Sequence, residues 1–460
     1  MKNKSILKAL GIMILLTIVL TWVIPSASVG TDGIIIGKIL PTGFADVFTC
    51  LEVVMQYFLA PSIFILFVGM FYGVINKTGA FKAVVDKIVY VSKEKKNIML
   101  IATILFYVLI TALTGMYLHT FMFIPLSIAV LMGLKFSKVQ SILATAGAST
   151  IGLIGQISNK IIQSVTTAEG NQYLWVKVGL LVVLTLLASV YAIKMSKKKN
   201  VEEKVEDNNI MFVPTERNAI NKSDVKGVGL FIVFFLLIEV FIFGLTPWNN
   251  VEMYNNLYGV IKDVKIGDFA PFSALLGSFE VFGLWTYNSL YPTIALAIIV
   301  MSLINSLKFK EMVEACIEGA KKVMGLAVLA AVITLVVIYT LNSGFLGTII
   351  NYLSRGGNIA LITLSSFISA PFLVEMSYAA QYGLSLVYYA VGTESVSEIW
   401  GLVTQITYGL AMLAVPSSVL LMIVLGYVEE KYSKWIKYIW KLLLAIFIAC
   451  LIAITVATLL

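Results

Sequence analysis

The chain alternates long apolar runs with short polar loops. About 20 helical residues span the hydrocarbon layer of a bilayer, and several runs reach that length. This pattern predicts a polytopic, all-α membrane protein with little sequence left for a soluble domain. The runs cover residues 5–25, 49–76, 174–194, 226–247, 287–307, 323–341, 398–425 and 442–460.

Two further apolar stretches are interrupted. Residues 98–134 are broken at TGMYLHT, which contains the single histidine, His119, and residues 358–391 are broken at PFLVEMS. Each arm has roughly 14–17 residues, fewer than a helical crossing needs. We therefore predict two re-entrant hairpins, with tips near 115–120 and 371–381. Two ordinary crossings joined by a tight turn are the alternative.

The hydrophilic segment 195–226 divides the chain and is predicted to be a cytoplasmic linker between a first transmembrane half, 1–194, and a second, 227–460. Each predicted hairpin precedes a long apolar segment with a small, polar middle. These two segments, 139–166 and 398–425, are predicted to be broken transmembrane helices, which secondary transporters use at substrate sites.

The two halves contain a weak repeat with opposite charge patterns. GMFYGVINKTGAFKAVVDKIV in the first half is echoed by AVITLVVIYTLNSGFLGTIINYL in the second. Lysine surrounds the first copy, whereas the loop GTESVSE after the second copy is acidic. Because cytoplasmic loops are enriched in lysine, the copies are predicted to cross the membrane in opposite directions, as an inverted repeat. The basic start of the chain places the N-terminus in the cytoplasm.

Composition agrees with a bilayer environment. Hydrophobic residues make up 59% of the chain and charged residues 13%, against about 25% charged in soluble domains. The net charge of +8 comes from lysines in short loops, so it indicates orientation and not nucleic-acid binding. The three cysteines lack metal-like spacing and imply no disulfide. We expect a multi-pass protein of the bacterial cytoplasmic membrane.

Motifs of enzymes are missing from the sequence. There is no zinc spacing, phosphate loop, nucleophile elbow or dinucleotide fingerprint. We expect no catalytic residue, no metal and no cofactor. Without a nucleotide-binding motif, transport would draw on an ion gradient or on exchange, with H⁺ and Na⁺ both open as coupling ions.

The ionisable residues His119 and Glu375 fall in the two predicted hairpin tips. A charged group at membrane depth is costly and is by default a functional hypothesis. A carboxylate beside an imidazole favours its charged form, so the two residues are predicted to form a proton-coupling pair. The alternative is a histidine that bonds a nearby carbonyl and has no role in transport.

Polar side chains concentrate in the predicted breaks and in the second tip. They are neutral donors and acceptors typical of a site for a small polar ligand, although small and hydroxyl residues also mediate helix packing. Aromatic residues near span ends, including Tyr287 and Trp435, are predicted to lie in interfacial belts. The predicted substrate-binding residues are Ser149, Thr150, Gln156, Ser158, Asn159, Ser377, Gln381, Gln405, Thr407, Ser417 and Ser418.

Four segments resemble the anaerobic C4-dicarboxylate carrier (DcuC) family, and specifically its YfcC-like branch, in order and spacing. The most specific piece is EACIEGAKKVMG, close to a family pattern of Glu-Gly-Ala-Lys before a span. The resemblance implies membership of the ion transporter superfamily, whose members are inverted-repeat carriers with two hairpins. The segments are GMYLHTFMFIPLSIAVLMG, ATAGASTIGLIGQISN, EACIEGAKKVMGLAVLAAV and TQITYGLAMLAVPSSVLLM.

The chain departs from the family pattern at several polar positions. Leu118 and His119 stand where the family usually carries two adjacent glutamates, and Asn159 is not followed by the usual Pro-Phe. Of the family's Gly-Asp-Gly, only Gly409 is kept. The resemblance therefore predicts a carrier but leaves the substrate and the coupling ion open.

Together these patterns predict a secondary active transporter of a small carboxylate-bearing metabolite, an amino acid or a C4-dicarboxylate, by alternating access. Symport and antiport are both open. A non-transporting scaffold or sensor derived from a carrier is the alternative, and a gradient-dissipating channel is a third. The expected partners are the bilayer and a small-molecule substrate, not nucleic acid, and a homodimer is left open.

Overall fold

The computed structural model describes residues 4–30, 33–43, 45–57, 59–157, 160–163, 165–166, 172–198, 212, 225–246, 252–277, 280–392 and 396–460. Helices dominate these residues, and one antiparallel β-hairpin, β1 (Ala27–Gly30) with β2 (Gly33–Ile36), follows the first helix. The first helices are α1 (Lys4–Val23), α2 (Asp46–Tyr57), α3 (Ala60–Lys77), α4 (Ala80–Ser92), α5 (Lys96–Thr114), α6 (Ile124–Gly133), α7 (Lys138–Ile142), α8 (Ala148–Ile154), α9 (Lys160–Gln163) and α10 (Leu174–Lys198).

The later helices include the longest described element, α15. Short 3₁₀ segments cover Leu118–Met122, Tyr287–Ser289 and Ala370–Phe372, and π-helical segments cover Leu143–Gly147 and Ala379–Leu384. These helices are α11 (Val225–Leu245), α12 (Glu252–Lys262), α13 (Pro271–Leu276), α14 (Leu290–Ile304), α15 (Phe309–Ser343), α16 (Phe345–Ser354), α17 (Ile359–Ser369), α18 (Met376–Tyr378), α19 (Ser385–Val391), α20 (Glu398–Met412), α21 (Val419–Tyr427) and α22 (Tyr432–Leu459).

The predicted all-α polytopic membrane fold is confirmed. Among the described residues, eight helices are long and apolar enough to cross a bilayer: α1, α3, α5, α10, α11, α15, α22 and the stretch from Tyr287 to the end of α14. One predicted span, 398–425, is instead divided between α20 and α21.

The two halves meet where α3 crosses α15. Gly69 and Gly73 of α3 lie against Gly319 of α15, and a Cβ on Gly69 would come within 2.8 Å of the Gly319 carbonyl oxygen. Small residues let helix backbones approach closely, which is how helices associate inside lipid. This crossing fixes α3 against α15.

The stretch 98–134 consists of two helical arms around an irregular tip. The arms lie side by side, because the Tyr107 hydroxyl on α5 donates to Ser127 Oγ on α6 at 2.9 Å. With 19 residues, α5 is longer than the sequence predicts, whereas α6 has only 10 and spans about 15 Å. The re-entrant path of these arms through a bilayer stays a prediction.

The stretch 358–391 is also two-armed. Asn358 caps α17 by accepting from the backbone N–H groups of Ala360 and Leu361. After the 3₁₀ turn at Ala370–Phe372 the backbone is extended at Glu375, and a helix with a π-helical middle returns to Val391. Its re-entrant path stays a prediction as well.

Both predicted broken helices are interrupted. In the first, α8 ends at Ile154 and the next described helix begins at Lys160. In the second, α20 ends at Met412 and α21 begins at Val419. Most of the predicted linker, 195–226, lies outside the described residues, so the division into two halves stays a prediction.

Candidate functional site

A cavity of about 320 Å³ lies between the first tip (residues 115–123) and the second tip (residues 370–378). This volume is within the usual range for small-molecule sites. Both tips, the ends of both broken helices and the start of α14 contribute to its wall. The lining residues are Ala60, Pro61, Gly115, Tyr117, Leu118, His119, Leu153, Gln156, Ile161, Tyr287, Asn288, Tyr291, Val374, Glu375, Met376, Ser377, Tyr408 and Val419.

Aromatic packing positions His119 in the first tip. Its ring is stacked on Tyr287, with centroids 4.4 Å apart, and meets the edge of Phe64 at 4.6 Å. The Tyr287 hydroxyl donates to the Gly115 carbonyl at 2.7 Å. The imidazole is therefore held as one ring of an aromatic cluster in the cavity wall.

Gly115 ends α5 in a left-handed conformation, with φ of +70°. Only glycine adopts this region without steric cost. A Cβ at this position would also come within 2.6 Å of Gln156 Nε2, so the side chain of Gln156 occupies the space that glycine leaves. The sequence TGM thus forms the turn, and its glycine leaves room for the Gln156 amide in the cavity wall.

Glu375 is half-buried in the second tip. Its carboxylate accepts one long hydrogen bond, from Ser377 Oγ at 3.4 Å, and forms no ion pair among the described residues. The hydroxyl groups that interact electrostatically with it come from three parts of the chain: Tyr287 and Tyr291, Tyr378, and Tyr408. The carboxylate therefore faces the cavity among neutral donors.

The break between α20 and α21 is bonded to both tips. Ser417 Oγ donates to the Pro371 carbonyl at 2.5 Å, and Ser418 Oγ is hydrogen bonded to the Tyr117 hydroxyl, also at 2.5 Å. Tyr408 adds a bond to the Val374 carbonyl at 2.7 Å. Two adjacent serines thus connect the two tips through one short segment.

The same broken helix is bonded to the break in the first half. Gln405 Nε2 donates to the carbonyls of Ile154 and Gln156, both at 3.0 Å. Gly409 permits the close approach, because a Cβ there would lie 3.0 Å from the Ile154 backbone. The interruption at the end of α8 leaves the carbonyls of Ile154 and Gln156 without a helical partner. A protein side chain donates to both, as irregular backbone in a membrane requires.

The structure brings four of the predicted site residues to the cavity: His119, Gln156, Glu375 and Ser377. His119 and Glu375 share its wall, but they form no ion pair within 4.0 Å in the described structure. Their assignment as a coupling pair stays a prediction.

The other predicted substrate-binding residues that the structure describes do not line the cavity. Gln405, Ser417 and Ser418 bond the breaks and tips as described above. Ser149 donates to Thr120, while Thr150 and Thr407 donate to carbonyls of their own helices. The Gln381 side chain is exposed, and Ser158 and Asn159 lie outside the described residues.

Tyrosines are the site residues that the sequence interpretation missed. Tyr287 was expected in an interfacial belt, and that expectation is wrong because its ring is stacked on His119. Trp435 is also fully buried, with its indole N–H bonded to Leu413. Tyr117 and Tyr408 could have been found, since both fall in segments already identified as interrupted.

The cavity wall carries a single carboxylate and no Lys or Arg among its described residues. The N-terminus of α21 reaches it at Val419, and helix N-termini attract negative groups through their free N–H groups. His, Cys, Asp and Glu form no cluster that could hold a metal ion within the described residues.

The sequence profile described as C4-dicarboxylate anaerobic carrier, DcuC, matches residues 4–459. The chain belongs to the DcuC family. Membership agrees with the resemblance drawn from the sequence and makes the protein a membrane carrier. No curated protein matches the chain significantly. Among solved structures, the YdaH transporter of Alcanivorax borkumensis is similar at 15% identity and a TM-score of 0.45, covering 98% of each chain.

Proposed function

We propose that this DcuC-family protein is a secondary active transporter of a small carboxylate-bearing metabolite, working by alternating access. One observation carries the proposal: a cavity of ligand size is lined jointly by both tips and both broken helices. Secondary transporters bind substrates at discontinuous helices near the bilayer midplane. A change in the position of either tip would alter access to this cavity.

Neutral and partly positive groups supply a place for the substrate carboxylate. Val419 at the N-terminus of α21, Gln156 and Tyr117 all line the cavity. Hydrogen bonds from N–H and O–H groups to a carboxylate are stronger than those between neutral groups. These groups suit one carboxylate.

A second carboxylate on the substrate would lack a cationic partner. The described lining has no Lys or Arg, and Glu375 would repel an additional negative group. An amino acid, with one carboxylate and one ammonium group, fits this distribution better than a C4-dicarboxylate. We therefore favour amino acids within the proposed substrate class.

Coupling is proposed to reside on Glu375, with H⁺ and Na⁺ both open as the coupling ion. An ionisable side chain at membrane depth is costly, so its retention favours a role in binding a cation. His119 shares the cavity wall and stays the proposed second member of a coupling pair.

Counterflow in proteoliposomes tests the proposal. Vesicles loaded with a panel of unlabelled amino acids and dicarboxylates are diluted into labelled compound, and accumulation is repeated with imposed proton and sodium gradients separately. We expect saturable counterflow with at least one compound and stimulation by one gradient. Absence of saturable flux for every compound would favour the scaffold or sensor alternative, and flux that never saturates would favour a channel.

A further inference from the structure

Glu375 is the only acidic residue in the described wall of the cavity. One long bond from Ser377 is the only hydrogen bond that the described residues give its carboxylate. The described wall of the cavity contains no Lys or Arg that would compensate its charge. The second tip thus presents an under-satisfied acid to an enclosed space, which is an arrangement that calls for a cation.

The hydroxyl groups that interact electrostatically with Glu375 belong to four tyrosines from three parts of the chain. Tyr287 and Tyr291 come from the start of α14, Tyr378 from the second tip and Tyr408 from α20. Tyr117 and His119 of the first tip are the other titratable groups in the described wall, and the His119 ring is engaged with Tyr287. Tyrosine faces also attract alkylammonium groups.

A bound cation stabilises a carboxylate in this environment, because a half-buried charge without a counter-charge is unfavourable. A proton neutralises it by forming the carboxylic acid, and an ammonium group does so by forming an ion pair. The neutral acid would leave a bound ammonium group without a counter-charge, so the two states exclude each other. Only one of the two cations can occupy the site at a time.

We propose that Glu375 binds either a proton or the ammonium group of the substrate, so that the protein exchanges protons for an ammonium-bearing metabolite. This proposal rests on the carrier function proposed above and selects antiport within it. On binding, the carboxylic acid releases its proton to water and the carboxylate forms an ion pair with the ammonium group. The empty ionised site is the costly state, which disfavours return of the site without either cation.

Matched probe pairs in nanodiscs test this exchange. Alanine with propionate, and aspartate with succinate, differ by the ammonium group alone, while lysine adds a second cation. We expect binding only of probes with an ammonium group, with release of about one proton per molecule bound, measured by a pH indicator in weak buffer. Affinity should rise about tenfold per pH unit while the acid is protonated, as linkage requires.

Variants at the acid separate this role from folding. Glu375→Gln should abolish ammonium-dependent binding and proton release while keeping its melting temperature, and Glu375→Asp should restore part of both. Glu314→Gln is the matched control, because Glu314 is an exposed acid on α15, outside the cavity. It should behave as the native protein does.

The outcomes separate this inference from the carrier function. Saturable counterflow of succinate or propionate, unchanged in Glu375→Gln, would overturn the exchange mechanism while leaving a carrier. Uptake of protons together with an amino acid would do the same, because it requires both cations at once. Failure of every probe to bind or to show counterflow would overturn the carrier function, and the exchange with it.

Discussion

The two hairpin tips are held by different kinds of contact. The first tip is tied through its backbone and its aromatic rings: Tyr287 bonds the Gly115 carbonyl and Tyr72 bonds the Met122 carbonyl at 3.0 Å. The Thr111 hydroxyl on α5 closes the turn by donating to the Met116 carbonyl. The second tip has few bonds to its surroundings, chiefly from Ser417 and Tyr408 to its carbonyls.

The two tips also differ in the charge that they carry. The imidazole of the first tip, His119, is 8% exposed and engaged on two sides by rings. The second tip presents Glu375, whose carboxylate has one long hydrogen bond. The first tip is thus tightly bonded. It faces a second tip that has few bonds and carries the charge. We infer from this difference that the second tip responds to the bound substrate, whereas the first tip defines the shape of the cavity.

The largest expected effect follows from removing that charge. Glu375→Gln should lower gradient-driven accumulation in proteoliposomes at least about tenfold, because a hydrogen bond to a charged group contributes about 1.5–3 kcal/mol. Glu314→Gln, which changes an exposed acid, should leave accumulation unchanged. Native accumulation in Glu375→Gln would show that the second tip carries no essential charge, and the contrast between the tips would lose its functional meaning.

A change in the turn of the first tip is expected to be next in size. Gly115→Ala places a methyl group 2.6 Å from Gln156 Nε2 in a residue with φ of +70°. The left-handed backbone costs about 1–2 kcal/mol and the overpacking typically about 1–3 kcal/mol. We expect a lower melting temperature and weaker substrate binding.

Gly79→Ala separates the two costs of that change. Gly79 has nearly the same backbone angle, φ of +76°, but nothing lies within 4 Å of the position of its Cβ. It should show the backbone penalty alone, with native substrate binding. Equal effects of both variants on binding would contradict a role for Gln156 in shaping the cavity.

The sequence was informative where the physics is local. Long apolar runs predicted the spans, and the interruptions at TGMYLHT and PFLVEMS coincide with breaks between helices. Glu375 was identified because an acid in an apolar run is costly wherever it lies. Ser417 and Ser418 were found as polar residues of a break, but the sequence could not tell that they bond the tips and do not line the cavity.

The missed features depend on contacts between distant parts of the chain. Tyr287 lies 168 positions from its ring partner His119, and an aromatic residue near a span end has the same local sequence in a lipid belt as in a site. The length of α5 was underestimated because the apolar run offered no signal for its start at Lys96. Such outcomes are decided by tertiary packing, which a hydropathy pattern does not encode.

The bond between Tyr117 and Ser418 offers a quantitative test of how firmly the first tip is attached. Tyr117→Phe and Ser418→Ala each remove one partner, and a hydrogen bond of this kind contributes about 0.5–1.5 kcal/mol. In a double-mutant cycle on substrate affinity, the coupling energy should be about 1 kcal/mol. Replacing Ser417 with Ala, which removes one bond to the second tip, should show weaker coupling to Tyr117→Phe than Ser418→Ala does, since Ser417 does not bond Tyr117.

The smallest effect is expected from an isosteric change at His119. If its role is to pack between Tyr287 and Phe64, phenylalanine can keep both ring contacts, which lie at centroid distances of 4.4 and 4.6 Å. His119→Phe should then keep accumulation within about threefold of native, since the phenyl ring, although somewhat larger, can make the same ring contacts. His119→Ala should lower it further by leaving a hole beside Tyr287.

Abolished accumulation in both variants, with native melting temperatures, would instead require an imidazole nitrogen and would support His119 as a partner of Glu375 in coupling. Each tip would then carry an ionisable group that takes part in transport. The bonds that hold the first tip would position a proton acceptor.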